Sequence, residues 1–85
     1  MSIRVLLAED QAMVRGALAA LLSLEEDIEI VAETSRGDKV ISAALDALPD
    51  VALLDIEMPG GDGLGAAGAL REKLPSCRVI ILTTF

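Results

Sequence analysis

The chain contains no histidine, tryptophan or tyrosine, and only one cysteine, Cys77, and one phenylalanine, Phe85. Without histidine it lacks the commonest general base near neutral pH and the commonest metal ligand. Any chemistry must therefore run on carboxylates, hydroxyls, backbone groups and a bound cation. A lone cysteine excludes a disulfide framework and fits a reducing, cytoplasmic setting. Basic residues are scarce and scattered, 7 Lys and Arg against 14 Asp and Glu, for a net charge of -7. Nucleic-acid affinity rests mainly on cations neutralising phosphates, so this stretch is not expected to contact nucleic acid directly. The apolar stretch nearest the N-terminus, Val5 to Ala8, is too short for a signal peptide or a membrane span, and no membrane partner is expected.

What remains is aliphatic. Hydrophobic residues make up 53% of 85 residues, enough for one small domain with a core of Leu, Ile, Val and Ala. Such residues suit helices packed on a parallel sheet. No repeat, linker or low-complexity segment interrupts the chain.

The apolar pattern alternates between two kinds of segment. Ile3 to Ala8 reads as a buried strand stopped by Glu9-Asp10. Val14, Leu18, Leu21 and Leu22 recur at helical spacing, which predicts a helix from about Gln11 to Leu24. Glu25-Glu26-Asp27 is a polar break, and Ile28 to Glu33 has the β-branched bias of a second strand. A turn over Thr34 to Asp38 follows. A second helix is marked by Val40, Ile41, Ala44, Leu45 and Leu48 and stopped by Pro49. Val51 to Leu54 reads as a third strand ended by Asp55, followed by a Gly-rich loop from Ile56 to Asp62. A third helix is predicted from Leu64 to Leu74, stopped by Pro75, and a fourth strand from Arg78 to Thr83. Strand and helix alternate with short connections, which predicts an α/β fold with a parallel sheet, right-handed crossovers and helices on both faces.

Three acids then stand out, all at carboxyl ends of strands: Glu9 and Asp10 after the first, Asp55 after the third. In doubly wound sheets the first and third strands are commonly neighbours, and ligands bind at that switch point. The topology thus brings Glu9, Asp10 and Asp55 to one crevice. Three clustered carboxylates repel, so one becomes protonated or a cation sits among them. An all-oxygen set selects a hard divalent ion, and Mg²⁺ tolerates a site with few protein ligands. A carboxylate beside such an ion is a plausible nucleophile for a phosphoryl group. Taken singly, each acid also reads as a solvated residue ending a strand.

Leu6-Leu7-Ala8-Glu9-Asp10 resembles the acidic pair of a bacterial response-regulator receiver domain. The run from Val51 to Gly63 resembles its phosphorylation segment, with Asp55, the Met58-Pro59 pair and Asp62-Gly63. Val79 to Thr84 resembles its fourth strand with the signalling hydroxyl. Order and spacing agree along the whole chain. Ala8 to Gln11 and Leu82 to Phe85 further resemble the NarL/FixJ subfamily, whose members carry a helix-turn-helix output domain. The resemblance implies a flavodoxin-like doubly wound parallel sheet with strand order 2-1-3-4. It implies a two-component signalling module rather than an enzyme that turns over substrate. Asp55 would accept a phosphoryl group from a histidine kinase. Mg²⁺ would be held by the Asp10 and Asp55 side chains and the Glu57 backbone carbonyl, with Glu9 acting through a metal-bound water. Thr83 would be the switch hydroxyl, with Thr84 in that role if the strand register shifts. Met58, Pro59 and Gly63 would shape the loop.

Residues 1–85 would then form the N-terminal portion of a receiver, with the output domain outside this chain. The fifth strand of a receiver, with its lysine and aromatic switch residue, is absent from this sequence. Lys39 and Lys73 lie in the wrong elements. An incomplete receiver of this kind would expose the edge of its fourth strand and a face of its first helix and would self-associate. It would also take up phosphoryl slowly.

Two other readings compete. Gly63-Leu64-Gly65-Ala66-Ala67-Gly68 fits the G-x-G-x-x-G pattern of dinucleotide sites, though it begins well past the strand end. Its bland counterpart is close helix–sheet packing. Asp55-Ile56-Glu57 also suggests a Mg²⁺-dependent phosphatase of the haloacid dehalogenase kind. Against that, Glu57 is the wrong acid, Pro59 replaces the expected Thr, and the motif belongs after a first strand. Cys77 reads as a small hydrophobe. Arg15 is placed either to pair with the acids or on an exposed helix face.

Overall fold

A computed structural model describes residues 2–61 and 63–82. The elements run β1 (Ile3–Ala8), α1 (Ala12–Ser23), β2 (Ile28–Thr34), a short 3₁₀ turn (Gly37–Lys39), α2 (Val40–Ala47), β3 (Val51–Asp55), α3 (Gly63–Lys73) and β4 (Arg78–Leu82). The strands form one sheet in the order β2-β1-β3-β4, every pair parallel. The expected α/β class and strand order therefore hold.

The boundaries shift in instructive places. β2 runs on through Thr34, beyond the Ile28–Glu33 expected, because the Thr34 carbonyl accepts the Glu9 backbone N–H at 3.0 Å. The polar side chain hid that ladder position. The sheet also carries an irregularity: Val5 pairs with Ile30 but Leu6 with Ala32, so Val31 is an extra residue in β2. α3 opens at Gly63 rather than Leu64. β3 includes Asp55 as its last residue.

The core lies on one face. Leu6 and Ala8 of β1 and Ala52 and Leu54 of β3 pack with Val40 and Ala44 of α2 and Ala66 and Leu70 of α3. These residues alternate along the strands, as a pleated sheet requires. Met58 and Cys77 join the same cluster. The opposite face carries Val5 and Leu7, both buried, where α1 packs on β1 and β2. No residue of α1 is itself buried; Met13 is 89% exposed and Leu24 78%. Ile80 of β4, in register with Leu53 and facing away from the core cluster, is 50% exposed. Apolar surface is thus open along α1 and beside it.

A proline-guided helix end and two hydrogen bonds set the connections. α2 stops at Leu48, a residue held at φ 52 in the left-handed region, immediately before Pro49, which disfavours further helix. At the amino ends of the strands, the Arg78 N–H donates to the Asp50 carbonyl at 2.9 Å, and an Arg4 guanidinium N–H donates to the Ala47 carbonyl at 2.5 Å. This leaves the carboxyl ends as the place where loops diverge.

Candidate metal and phosphoryl-acceptor site

β1 and β3 are adjacent and in register from Val5↔Val51 to Ala8↔Leu54. Their next residues, Glu9 and Asp55, therefore emerge at the same level, and Asp10 follows one position on. Carboxylate oxygens of Glu9, Asp10 and Asp55 all lie within 4.8 Å of one another. Glu9 and Asp55 are each 4% exposed, whereas Asp10 is open to solvent. The three line a cleft of about 120 Å³ together with Gln11, Val14 and Glu57. The topological expectation for these acids is met.

Local contacts hold Glu9 and Asp55. The Gln11 N–H donates to a Glu9 carboxylate oxygen at 3.2 Å, and the Glu57 N–H reaches Oδ1 of Asp55 at 3.4 Å. Burial is the largest influence on Glu9. Together with the charges of Asp55 and Asp10 it raises the carboxyl pKa above its usual value, opposed by the hydrogen bond from Gln11. Burial beside two other acids disfavours the charged form of the Glu9 carboxyl. The three carboxylates are a donor set that could hold a hard divalent cation.

Arg15 does not pair with the clustered carboxylates. Its Nη1 donates to the Glu9 backbone carbonyl at 2.7 Å, and its Nε lies 3.7 Å from a Glu33 carboxylate oxygen. It ties the β1 end to β2. Sequence leaves Arg15 either pairing with the acids or on an exposed helix face, and its contacts to the Glu9 carbonyl and Glu33 are neither.

The loop after β3 is held at both ends and in its middle. The Ile56 N–H donates to the Leu82 carbonyl at 3.2 Å, the Gly63 N–H to the Ile56 carbonyl at 3.1 Å, and the Gly37 N–H to the Pro59 carbonyl at 2.9 Å. Met58 is buried in the core and Pro59 is exposed, so one anchors the loop and the other presents its carbonyl. Gly63 is buried, and a Cβ there would collide with the Asp55 carbonyl. Glu57 lies beside Asp55 with its side chain exposed. Thr83, Thr84 and Asp62 lie outside the described residues. Gly37, Gly60 and Gly61 were not singled out by sequence, because their meeting joins two loops far apart in the chain.

The dinucleotide pattern loses its basis. Its glycines run from Gly63 to Gly68, inside α3 rather than in a loop ahead of it. Cys77 is buried, and burial raises its thiol pKa, with Asp50 adding to the shift.

Comparison with known proteins agrees with this geometry. The model for the response regulator receiver domain matches residues 5–85. The transcriptional regulatory protein DesR of Bacillus subtilis is 46% identical over 83 residues, covering 98% of this chain and 41% of DesR. The response regulator protein VraR of Staphylococcus epidermidis is 39% identical over 85 residues, covering 100% of this chain and 41% of VraR. The chain thus spans about two-fifths of the length of the curated relatives it matches. Among solved structures, a LuxR-family DNA-binding response regulator from Staphylococcus aureus superposes with a TM-score of 0.90 at 41% identity, over 98% of this chain and 69% of that one. The receiver domain of AraT, a response regulator from Geobacillus stearothermophilus, gives 0.89 at 37% identity, over 98% of this chain and 65% of that one. With the acids of β1 and β3 brought together on a β2-β1-β3-β4 sheet, the chain belongs to the response regulator receiver domain family.

Proposed function

We propose that Asp55 is the phosphoryl acceptor of this receiver and that Asp10, Asp55 and the Glu57 backbone carbonyl hold Mg²⁺, with Glu9 acting through a metal-bound water. The observation that carries the reading is the approach of three carboxylates from two adjacent strand ends to within 4.8 Å. Mg²⁺, when bound, supplies positive charge against these carboxylates and the oxygens of the transferring phosphoryl group. The rest falls to the chain. Asp55 presents a carboxylate oxygen at a strand end, steadied through its contact with the Glu57 N–H. That oxygen forms a bond to phosphorus as the phosphorus–nitrogen bond of a kinase phosphohistidine breaks, and the departing imidazole nitrogen takes up a proton. Thr83, with Thr84 as the alternate, is the hydroxyl that follows this change.

The relatives named above include transcriptional regulatory proteins and a DNA-binding response regulator. We infer an output of the same kind for the whole protein, through a helix-turn-helix domain outside this chain. The setting proposed is the cytoplasm; no helix among the described residues is long and apolar enough to cross a membrane. The 85-residue chain is also expected to self-associate. Among the described residues β4 pairs only with β3, and Ile80, Met13 and Leu24 are exposed. A monodisperse monomer by light scattering at high concentration contradicts that expectation.

The test of the central reading is covalent. Incubation with a small acyl phosphate and Mg²⁺ should place one phosphoryl group on Asp55, read by intact mass and hydroxylamine lability. Asp55→Asn should abolish it. Labelling that survives this substitution overturns the assignment.

A further inference from the structure

The turn that opens α2 meets the loop that carries Glu57, and the two meet through glycines. The Gly37 N–H donates to the Pro59 carbonyl at 2.9 Å. A Cβ on Gly37 would collide with the backbone carbonyl of Gly61. Across the same contact, a Cβ on Gly60 would collide with the Asp38 carboxylate and the Arg36 guanidinium. Those two side chains form a two-point ion pair, Nε to Oδ1 at 2.9 Å and Nη2 to Oδ2 at 3.0 Å.

Gly60 has a conformational reason to be glycine, with φ at +81. Gly37 does not share it, since its φ lies outside the left-handed region. What Gly37 needs is space, and the atom filling that space is a backbone oxygen, which cannot swing aside as a flexible side chain would. The turn therefore fits the loop only at one separation, and that separation fixes the peptide two residues after Glu57.

We propose that Gly37, backed by the Arg36–Asp38 pair behind Gly60, is a positioning element for the Mg²⁺ ligand supplied by the Glu57 carbonyl. The proposal rests on the reading of the Asp55 site given above. The turn acts through the loop, not on the metal. Its surroundings are already hydrogen-bonded, so the contact is a fixed seat for the loop.

The experiment compares Gly37→Ala in the full chain with Gly16→Ala and Gly68→Ala, where a Cβ meets nothing within 4 Å. Mg²⁺ dissociation constants are read from amide shifts, with circular dichroism confirming the fold. Outer-shell partners of metal ligands typically account for tenfold or more in affinity. Gly37→Ala should thus weaken Mg²⁺ binding about tenfold and shift the Glu57 and Gly61 amides in the metal-free protein, while the controls bind as the unaltered chain does. A folded Gly37→Ala protein with unchanged Mg²⁺ affinity overturns the proposal. If Gly37→Ala does not fold, the double variant Arg36→Ala/Asp38→Ala decides, because both side chains are exposed. Weakened binding supports the positioning role and unchanged binding overturns it. An unaltered chain that binds no Mg²⁺ sinks the reading of the site itself, a result distinct from either.

Discussion

The carboxylate of Asp50 accepts the backbone N–H of Arg4 at 2.9 Å, while the Asp50 N–H donates to the Arg4 carbonyl at 2.7 Å. This reciprocal pair joins the start of β1 to the residue preceding β3, at the end of the sheet away from the acids. Asp50→Ala removes one side-chain bond at an exposed site and should lower stability by about 0.5–1 kcal/mol. Asp50→Asn, which keeps an acceptor oxygen, should lose less. Urea midpoints followed by circular dichroism measure both.

Gly63 and Gly68 stand in the same helix and should respond in opposite directions. A Cβ at Gly63 meets the Asp55 carbonyl, whereas one at Gly68 meets nothing. Gly63→Ala should cost about 1–3 kcal/mol through overpacking and displace the Asp55 backbone. Gly68→Ala, inside α3, should add about 0.5–1 kcal/mol through helix propensity. Thermal melts of the two variants test the contrast; equal effects contradict it.

Leu48 holds a left-handed conformation that disfavours a side chain. It is 60% exposed, so little burial would be lost on its removal. Leu48→Gly should stabilise the chain by about 0.5 kcal/mol, a rise in Tm of a few degrees. A lower Tm would show that the exposed leucine packs more than its accessibility suggests.

Glu9 gives a pH signature in the metal-free protein. Burial, then Asp55 and Asp10, raise its folded pKa above the usual value of 4.5. Below that value the carboxyl is protonated in both folded and unfolded chains, and Glu9 carries no penalty. As pH climbs past it, the unfolded chain ionises first, and the fold loses stability until the raised pKa is passed. Glu9→Gln should therefore stabilise the metal-free chain more at about pH 8 than at about pH 4. Added Mg²⁺ should stabilise the unaltered protein more than the variant. Denaturant midpoints at the two pH values, with and without Mg²⁺, read both differences.

Much of this was legible in sequence because it lives in local pattern. Apolar runs cut short by acids gave β1 and β3, and the helical spacing from Val14 to Leu22 gave α1. The adjacency of the first and third strands followed from the doubly wound rule, and from it the meeting of Glu9, Asp10 and Asp55; the full order 2-1-3-4 followed from the family resemblance. Long-range or atypical features stayed hidden. Thr34 belongs to β2 through its carbonyl, which side-chain pattern does not report. Leu48 adopts a conformation its type does not announce. The seat of Pro59 and Gly61 on Gly37 depends on two loops meeting across α2 and α3. Arg15 reads from sequence as pairing with the acids or lying on an exposed helix face; its contact with Glu33 joins two segments that side-chain pattern does not connect.

The central place of β1 in the sheet bears on how the chain assembles during synthesis. β1 is made first and can pair early with β2 across one short crossover. Its other edge must wait for β3: Arg4 and Asp50 are 46 residues apart, and at ribosomal elongation rates that interval lasts about 2–9 s. For those seconds a nascent Val5–Ala8 edge stands open, with the acids beyond it unshielded by their neighbour strand. Assembly of the acceptor site is thus coupled to the closing of β1 by β3, so an Asp55 that has met Glu9 and Asp10 is by construction one whose sheet centre is already complete.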